Sequence, residues 1–367
     1  MRIAIPRERT ALEYRVALVP ESVSKLVKAG VEVVVEHGAG TSASFPDAQY
    51  TAAGATVAAD YASCVAGAHL ICKVQPPTAD ETAAIPEGAA VICYLQPAVY
   101  PDAVQRLNGR KASALALELV PRITRAQSMD VLSSQATISG YRAVLLGASA
   151  LGRLMPMLST AAGTLAPAKV FVLGAGVAGL QAIATARRLG AIVSGFDVRA
   201  AAREQILSLG AQVLKVEGAD AEGSGGYAKE QSADAAQKTQ DAIKAHLAQM
   251  DLVITTAAIP GKKAPILVTE EALKGMKPGA VIVDLAAETG GNAVGTKAGE
   301  TVEIGGVKIL GPINVPSQAA FHASQMLSRN IHTLLQHVIT KENTLNLDAN
   351  DEITGAMLVC QHGTVRS

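Results

Sequence analysis

Residues 169–190 read KVFVLGAGVAGLQAIATARRLG, and this stretch decides the fold of the second half of the chain. A short apolar run at 170–173 is typical of a buried strand, and it leads directly into Gly174, Gly176 and Gly179. A helix-forming stretch follows and ends at Gly190. Between a strand and a helix, the pattern G-x-G-x-x-G predicts a dinucleotide-binding turn, whose helix N-terminus offers free N–H groups to phosphates.

The next apolar run, 192–196, ends at Asp197. A carboxylate at this strand end accepts hydrogen bonds from the hydroxyls of an adenosine ribose and repels a 2′-phosphate. The pattern therefore favours NAD over NADP. Arg199 and Arg203 follow closely, so a 2′-phosphate site stays open as a minor alternative. The same residues could also form a glycine-rich turn beside a solvated aspartate that binds no ligand.

Apolar runs alternate with helix-forming stretches along the whole chain, which indicates parallel sheets covered by helices. The predicted class is α/β, with two Rossmann-like doubly wound parallel-sheet domains separated by a cleft. A tight hairpin is predicted at 302–309 around Gly305 and Gly306. A helical segment, broken near Pro156, is predicted to follow 121–135 and to reach about Thr164, and a helix is predicted from a Ser317 cap to about 338, with Phe321 on its apolar side. The predicted strands lie at 3–5, 31–35, 70–74, 91–95 and 113–116 and, in the second series, at 170–173, 192–196, 213–216, 252–255, 281–285 and 307–310.

The composition excludes several classes of protein. The 367 residues hold 32 Lys+Arg and 32 Asp+Glu, so the chain carries no basic footprint for nucleic acid. The four cysteines lack C-x-x-C spacing, and no Cys/His cluster has metal-ligand spacing, so no metal is expected. No run reaches the roughly 20 uninterrupted apolar residues of a membrane span. A cytoplasmic chain is therefore expected.

Polar side chains concentrate at 121–135, PRITRAQSMDVLSSQ. If this segment is helical, Gln127, Asp130 and Ser133 share one face, and Arg122 lies one to two turns earlier. Such a face could hold the carboxamide of a nicotinamide. A solvated helix face with an Arg–Asp pair explains the same spacing.

Two further features leave alternatives open. Arg15 lies in an N-terminal charged cluster and Lys73 closes a predicted strand, so the pair could bind a carboxylate or could be surface charges. Residues 216–231, VEGADAEGSGGYAKEQ, form a connection whose one large apolar residue after Val216 is Tyr227. A long polar connection of this kind is either a functional lid or an unstructured insertion.

Longer motifs carry a family resemblance. They are IPRER at 5–9, E-x-R-VAL-x-PE at 13–21, PRITRAQSMDVLSSQ, GAGVAGLQAIATARRLGA, FDVR at 196–199, GGYAKE at 225–230, and VDLA and GGN at 283–292. With them the chain resembles, over nearly its whole length, the alanine dehydrogenase / pyridine nucleotide transhydrogenase family. RAQSMD, SSQ and GGYAKE most resemble the NAD(H)-binding domain of proton-translocating transhydrogenases, in the form where this domain is a separate α1 subunit.

The resemblance implies an N-terminal domain of 1–136 completed by 316–367, and an NAD(H)-binding domain of 137–315. It implies catalytic roles on the nicotinamide side for Arg122, Gln127, Asp130, Ser133 and Tyr227, the last in a mobile loop that closes on the nucleotide. The implied NAD(H)-binding residues are Gly174, Ala175, Gly176, Val177, Ala178, Gly179, Asp197, Val198, Arg199, Gly226, Tyr227 and Ala257.

The implied activity is hydride transfer from NADH bound here to NADP⁺ on a partner, coupled to proton translocation by the complex. Implied partners are membrane-embedded subunits with their NADP(H)-binding domain, which would hold this chain at the inner (plasma) membrane, and a second copy in a homodimer. A self-contained alanine-type dehydrogenase is one alternative. It is disfavoured because Gln96 stands where such an enzyme has a His, and Glu288 where it has an Asp. A non-catalytic NAD-binding protein is the other.

Overall fold

The computed structural model describes residues 1–216, 233–258 and 262–366. The chain divides into two compact units, one formed by Met1–Gln135 with Pro316–Ser367 and the other by Ala136–Val315. Each unit is built on one sheet dominated by parallel strands, which confirms the predicted α/β class. No helix among the described residues is both long and apolar enough to cross a bilayer.

The strands are numbered in chain order. They are β1 (Arg2–Ile5), β2 (Glu32–Glu36), β3 (Thr56–Ala58), β4 (Leu70–Cys72), β5 (Ala90–Cys93), β6 (Ser113–Ala116), β7 (Leu158–Thr160), β8 (Gly163–Leu165), β9 (Lys169–Leu173), β10 (Ile192–Phe196), β11 (Gln212–Val213), β12 (Leu252–Thr255), β13 (Val281–Asp284), β14 (Thr301–Ile304), β15 (Val307–Leu310), β16 (Leu358–Gln361) and β17 (Thr364–Val365).

The α-helices are numbered in the same way. They are α1 (Pro20–Lys28), α2 (Asp47–Ala52), α3 (Tyr61–Val65), α4 (Ala79–Ala84), α5 (Pro101–Gly109), α6 (Val131–Ala150), α7 (Val177–Arg188), α8 (Ala200–Ser208), α9 (Ala233–Leu247), α10 (Glu270–Lys274), α11 (Ala320–Val338) and α12 (Glu352–Met357).

The sheet of the first unit has the order β17-β16-β6-β5-β4-β1-β2-β3. Strands β1 to β6 pair in parallel, and β16 pairs antiparallel with β6. Both faces are buried: Ile3 and Ile5 of β1 pack in one hydrophobic core, whereas Ala4 packs in the other. Successive strand residues point to opposite faces, so helices cover this sheet on both sides.

The sheet of the second unit has the order β11-β10-β9-β12-β13-β15-β14. Counted along the chain, its six parallel strands follow the order 3-2-1-4-5-6 of dinucleotide-binding folds. Strand β14 pairs antiparallel with β15, and Gly305 (φ 60°) and Gly306 (φ 80°) connect the two strands. Positive φ at both central residues is what a tight hairpin turn of this type needs, so the predicted hairpin is confirmed.

The helical structure predicted beyond the break near Pro156, up to about residue 164, is wrong. Helix α6 ends at Ala150, and β7 and β8 form a separate antiparallel ribbon whose six residues are all exposed. The helix ends before Pro156, as the sequence predicts, but it does not resume, and Gly163 adopts a φ of 117°, which suits the turn of the ribbon.

The prediction for the start of α11 is also wrong. The helix begins at Ala320 after a short 3₁₀ turn, and the Ser317 hydroxyl accepts a hydrogen bond from the Tyr14 N–H at 2.6 Å instead of capping it. Phe321 is 40% exposed and stacks on Phe45, with ring centroids 4.9 Å apart, so it is not part of the buried stripe of α11.

Candidate functional site

The candidate site lies where the strand order in the sheet of the second unit reverses. Strands β9 and β12 are neighbours, but the chain continues from β9 towards β10 on one side and from β12 towards β13 on the other. Ligands of α/β sheets bind at the carboxyl ends of strands at such a point. The two strand ends are joined there, because the Thr256 hydroxyl donates to the Gly174 carbonyl oxygen at 3.0 Å.

The fold itself requires glycine at two positions of the turn. Gly174 has a φ of 94°, in the left-handed region, and a Cβ there would lie 2.6 Å from the Thr256 hydroxyl oxygen. A Cβ at Gly179 would lie 1.8 Å from the Gly174 carbonyl oxygen. Both glycines therefore serve the close packing of strand, turn and helix.

Gly176 differs from these two. Its φ is −74°, which any residue can adopt, and an added Cβ would meet no atom of the described residues within 4 Å. Packing within the protein does not explain a glycine here. An approaching ligand does, since a pyrophosphate lying against the backbone needs the space that a side chain would fill. The residues present therefore fit a dinucleotide.

Helix α7 points its N-terminus at this open space. Gly176 is the residue before the helix, and no described side chain caps it. The first backbone hydrogen bond runs from the Leu180 N–H to the Gly176 carbonyl oxygen at 2.9 Å. The N–H groups of Val177, Ala178 and Gly179 precede that bond, so they have no acceptor four residues back within the helix. Together with the helix dipole they favour an anion.

Asp197 lies beside the turn, directly after β10. Its carboxylate accepts a hydrogen bond from the Ala175 N–H at 2.7 Å, and it pairs with the Arg199 guanidinium at 2.7 Å. Burial opposes its ionisation, but the hydrogen bonds from Arg199 and Ala175 outweigh burial and hold the pKa of Asp197 below its ordinary value. The site therefore presents an ionised acceptor at neutral pH. Val198 is half-buried next to it.

A buried hydrogen-bond network around Asn292 holds Ala257, the residue after Thr256. Asn292 is 0% exposed; its side chain accepts from the Ala257 N–H at 3.1 Å and donates to the carbonyl oxygens of Ala257 and Pro265, both at 2.8 Å. Asp284, also 0% exposed, fixes the loop that carries Asn292. Its carboxylate accepts five hydrogen bonds, from the hydroxyls of Thr255 and Thr296 and from the N–H groups of Ala286, Asn292 and Ala293.

The sequence did not single out Asp284 or Asn292 as site residues. Asp284 reads as the polar end of a strand, and Asn292 as the last residue of the GGN motif. The partners of Asn292 come from segments far away in the chain, so only the folded structure shows that the two residues support the loop after β12.

The segment 121–135 belongs to the first unit and is not one helix. A 3₁₀ helix (Thr124–Met129) contains Gln127, and Asp130, with a ψ of 92°, separates it from α6. The Asp130 carboxylate accepts from the N–H of Ser133 at 2.9 Å and from its hydroxyl at 2.6 Å, so Asp130 caps α6. The structure therefore joins Asp130 to Ser133, while Gln127 and Arg122 have exposed side chains.

Arg15 and Lys73 are buried in ion pairs within the first unit. The Arg15 guanidinium donates to the Glu13 carboxylate at 2.8 and 2.7 Å and to the Gln135 side chain at 2.9 Å. The Lys73 ammonium lies 3.0 Å from Glu81 and 3.4 Å from Glu8. Both cations are thus paired with carboxylates of the chain itself, and not with a carboxylate ligand.

The acid–base properties of Lys73 follow from these contacts. Burial lowers its pKa, but the carboxylates of Glu8 and Glu81 more than offset this and hold the pKa above its ordinary value. The ammonium therefore stays charged at neutral pH and is unsuited to accept a proton.

The positions that would distinguish a dehydrogenase hold other side chains. Gln96 is exposed, its φ is 44°, and its N–H donates to the Glu118 carboxylate. Glu288 is exposed and accepts from the Asn314 N–H at 3.3 Å. Gly226 and Tyr227, predicted to close on the nucleotide, lie outside the described residues. The described residues hold no cluster of His, Cys, Asp or Glu that could bind a metal ion.

Both the sequence and the fold are similar to those of known proteins. An NAD(P) transhydrogenase alpha-subunit polypeptide of Rhodospirillum rubrum is 48% identical over 374 residues, which cover 100% of this chain and 97% of that protein. A transhydrogenase structure from Sinorhizobium meliloti is 45% identical with a TM-score of 0.92, and covers 100% of both chains. An alanine dehydrogenase of Halomonas elongata is 33% identical over 89% of this chain and 85% of its own length.

Two family domains match nearly the whole chain. Residues 4–139 match the domain described as "Alanine dehydrogenase/PNT, N-terminal domain", and residues 143–367 match "Alanine dehydrogenase/PNT, C-terminal domain". The resemblance predicted from the motifs is confirmed: the chain belongs to the alanine dehydrogenase/PNT family.

Proposed function

We propose that this chain is the NAD(H)-binding subunit of a proton-translocating transhydrogenase. When bound, NADH supplies a hydride, which passes to NADP⁺ held by a partner subunit. This chain binds and orients the donor, whereas the membrane-embedded partners hold NADP(H) and translocate protons. We further propose that it works as a homodimer at the cytoplasmic face of the inner (plasma) membrane. The family, its oxidoreductase relatives and the turn at Gly176 support NAD(H) binding.

The residues divide the task between them. The N–H groups of Val177, Ala178 and Gly179 bind the pyrophosphate, and Asp197 binds the adenosine ribose. Ala257, held by Asn292, lines the nucleotide from the neighbouring strand end. We propose that Gln127 orients the nicotinamide carboxamide. Arg122, the Asp130–Ser133 cap, Gly226 and Tyr227 complete that side of the site.

The side chain at position 96 favours transhydrogenation over amino-acid oxidation as the activity of this chain. Oxidation of an amino acid needs a group that accepts a proton from nitrogen and activates water, and Gln96 cannot do either. Hydride exchange between two nicotinamides needs alignment and no proton transfer at the reacting carbons. The ion pairs of Arg15 and Lys73 support the same choice, because a substrate carboxylate would have to displace Glu13 and Glu81.

Hydride exchange in a reconstituted mixture tests the proposal. The purified chain is mixed with a separately purified transhydrogenase NADP(H)-binding domain, and reduction of an NAD⁺ analogue by NADPH is followed optically. We expect turnover only when both proteins are present. NAD⁺-dependent oxidation of alanine by the chain alone would instead support the dehydrogenase, and NADH binding without any exchange would support a non-catalytic binding protein.

Gln127→Ala is expected to slow hydride exchange about 10-fold or more, with the dissociation constant for NADH within about 2-fold of wild type, since one orienting hydrogen bond is lost at the reacting end only. Single-turnover exchange and NADH fluorescence titration measure the two quantities. Ser128→Ala is the matched control, because Ser128 is the exposed neighbour and its carbonyl bond to Asn330 survives the change. A normal exchange rate in Gln127→Ala would remove the proposed role.

Asn292→Ala is expected to weaken NADH binding about 10-fold and to destabilise the second unit by about 2–3 kcal/mol, because the Ala257 N–H and two carbonyl groups lose their buried partner. Thermal unfolding and NADH titration measure these effects. Gln249→Ala, which removes an exposed amide side chain in the same unit and keeps the backbone carbonyl bond to Lys277, is the comparison. If Asn292→Ala bound NADH as tightly as wild type, the hydrogen-bond network around Asn292 would serve stability alone.

A further inference from the structure

The Asp197 carboxylate is fully occupied in the structure, and half of its partners are side-chain donors. Backbone N–H groups provide one hydrogen bond to each oxygen: Ala175 to Oδ2 at 2.7 Å and Arg199 to Oδ1 at 2.9 Å. The Arg199 guanidinium provides the other two, from Nε to Oδ1 at 2.8 Å and from Nη2 to Oδ2 at 2.7 Å. Because each carboxylate oxygen accepts about two hydrogen bonds, no acceptor position is left over.

The two positions taken by the guanidinium are those that a ribose needs. An adenosine ribose offers its 2′- and 3′-hydroxyls as a pair of donors to one carboxylate. The backbone donors belong to the turn and to the residue before α8, so they stay in place. The hydroxyls can therefore bind Asp197 only where the Nε and Nη2 groups of Arg199 now donate.

We propose that Arg199 is a specificity-determining residue: its guanidinium competes with the adenosine ribose for Asp197 and so weakens the preference of this site for NADH over NADPH. The proposal rests on the proposed function, because it requires a dinucleotide at the turn. It extends that function, because Arg199 would act as a competitor of the ribose and not as a residue that merely contacts the nucleotide. This basic side chain reduces, and does not increase, the affinity for NADH.

The two nucleotides differ in what they offer the displaced guanidinium. NADH breaks the Arg199–Asp197 pair and provides only hydroxyls in return. NADPH also breaks it, but its 2′-phosphate gives the guanidinium a new bidentate partner close to the old one. Arg199 therefore penalises NADH and partly compensates NADPH for the repulsion between its 2′-phosphate and Asp197. The side chain, 23% exposed, lies close enough to solvent to change its position.

Arg199→Ala tests the competition directly. The change keeps the backbone N–H that donates to Asp197, since Arg199 lies before the first residue of α8. We expect the dissociation constant for NADH to fall about 3- to 10-fold and that for NADPH to rise by a similar factor, which is about 1 kcal/mol in each direction. Calorimetric titration of wild type and variant with both nucleotides measures this. Titration with 5′-AMP, which carries the ribose without a nicotinamide, should follow NADH.

Two further variants keep the test decisive. Arg199→Lys retains the charge but lacks the planar pair of donors, so we expect NADH binding between those of wild type and Arg199→Ala; it replaces the alanine variant if thermal unfolding shows that variant to be unfolded. Arg188→Ala removes an exposed charge in the last turn of α7 and should leave the NADH/NADPH ratio unchanged.

The outcomes separate this proposal from the proposed function. Weaker NADH binding in Arg199→Ala, or an unchanged NADH/NADPH ratio, would overturn the competition and leave the function standing. Wild-type protein that binds neither nucleotide would overturn the proposed function and, with it, the premise of the competition.

Discussion

Gly176→Ala is expected to weaken NADH binding about 100-fold while the thermal unfolding midpoint stays within about 2 °C of wild type. The free protein accommodates the methyl group, because nothing in the part of the chain that the structure describes lies within 4 Å of the new Cβ, and the φ of −74° suits alanine. The bound pyrophosphate does not, because it has to lie against the backbone at this residue. A clash of one methyl group in a tightly packed contact costs about 1–3 kcal/mol, or up to roughly two powers of ten in affinity.

Gly179→Ala is the matched control, three residues further along the same turn. Its Cβ would lie 1.8 Å from the Gly174 carbonyl oxygen, so this variant should unfold at a clearly lower temperature. NADH fluorescence titration and thermal unfolding of both variants separate a ligand effect from a folding effect. If Gly176→Ala bound NADH normally, the open space at Gly176 would not be the pyrophosphate site.

Asp197→Ala is the second change with a large expected effect. We expect NADH binding to weaken about 10- to 100-fold, because hydrogen bonds to a charged group contribute roughly 1.5–3 kcal/mol. NADPH binding should weaken less or improve, since the 2′-phosphate loses a repulsive neighbour and the Arg199 guanidinium loses its partner. The preference for NADH should therefore fall.

Titration of Asp197→Ala with both nucleotides measures this change. Glu204→Ala removes an exposed carboxylate from the neighbouring helix α8 and controls for the loss of one negative charge. An unchanged dissociation constant for NADH in Asp197→Ala would contradict the assignment of the ribose site.

The fold was predictable where its signals are local. Strand β10 begins and ends at the predicted residues 192 and 196, and the turn after β9 follows from three glycines at fixed spacing. The hairpin of β14 and β15 follows from two adjacent glycines between apolar runs. In each case the residues that determine the structure lie within a few positions of one another.

The sequence was insufficient where distant segments meet. The contact of Ser317 with Tyr14 joins the two ends of the chain, and no local pattern distinguishes it from a helix cap. The same holds for Asn292, whose partners come from the loops after β12 and before α10. The spacing of Arg199 suggests only a direct contact with the nucleotide, because its side-chain hydrogen bonds with Asp197 cannot be read from the sequence.

The central claim is that NADH held by this chain gives its hydride directly to NADP⁺ held by another polypeptide. The most direct measurement uses NADH deuterated at the transferred position, mixed with NADP⁺, this chain and a separately purified transhydrogenase NADP(H)-binding domain in ordinary water. Mass spectrometry then follows the deuterium. We predict that the NADPH formed carries the label, and that neither protein alone forms it. Unlabelled NADPH, or transfer to NADP⁺ without the partner domain, would contradict the account.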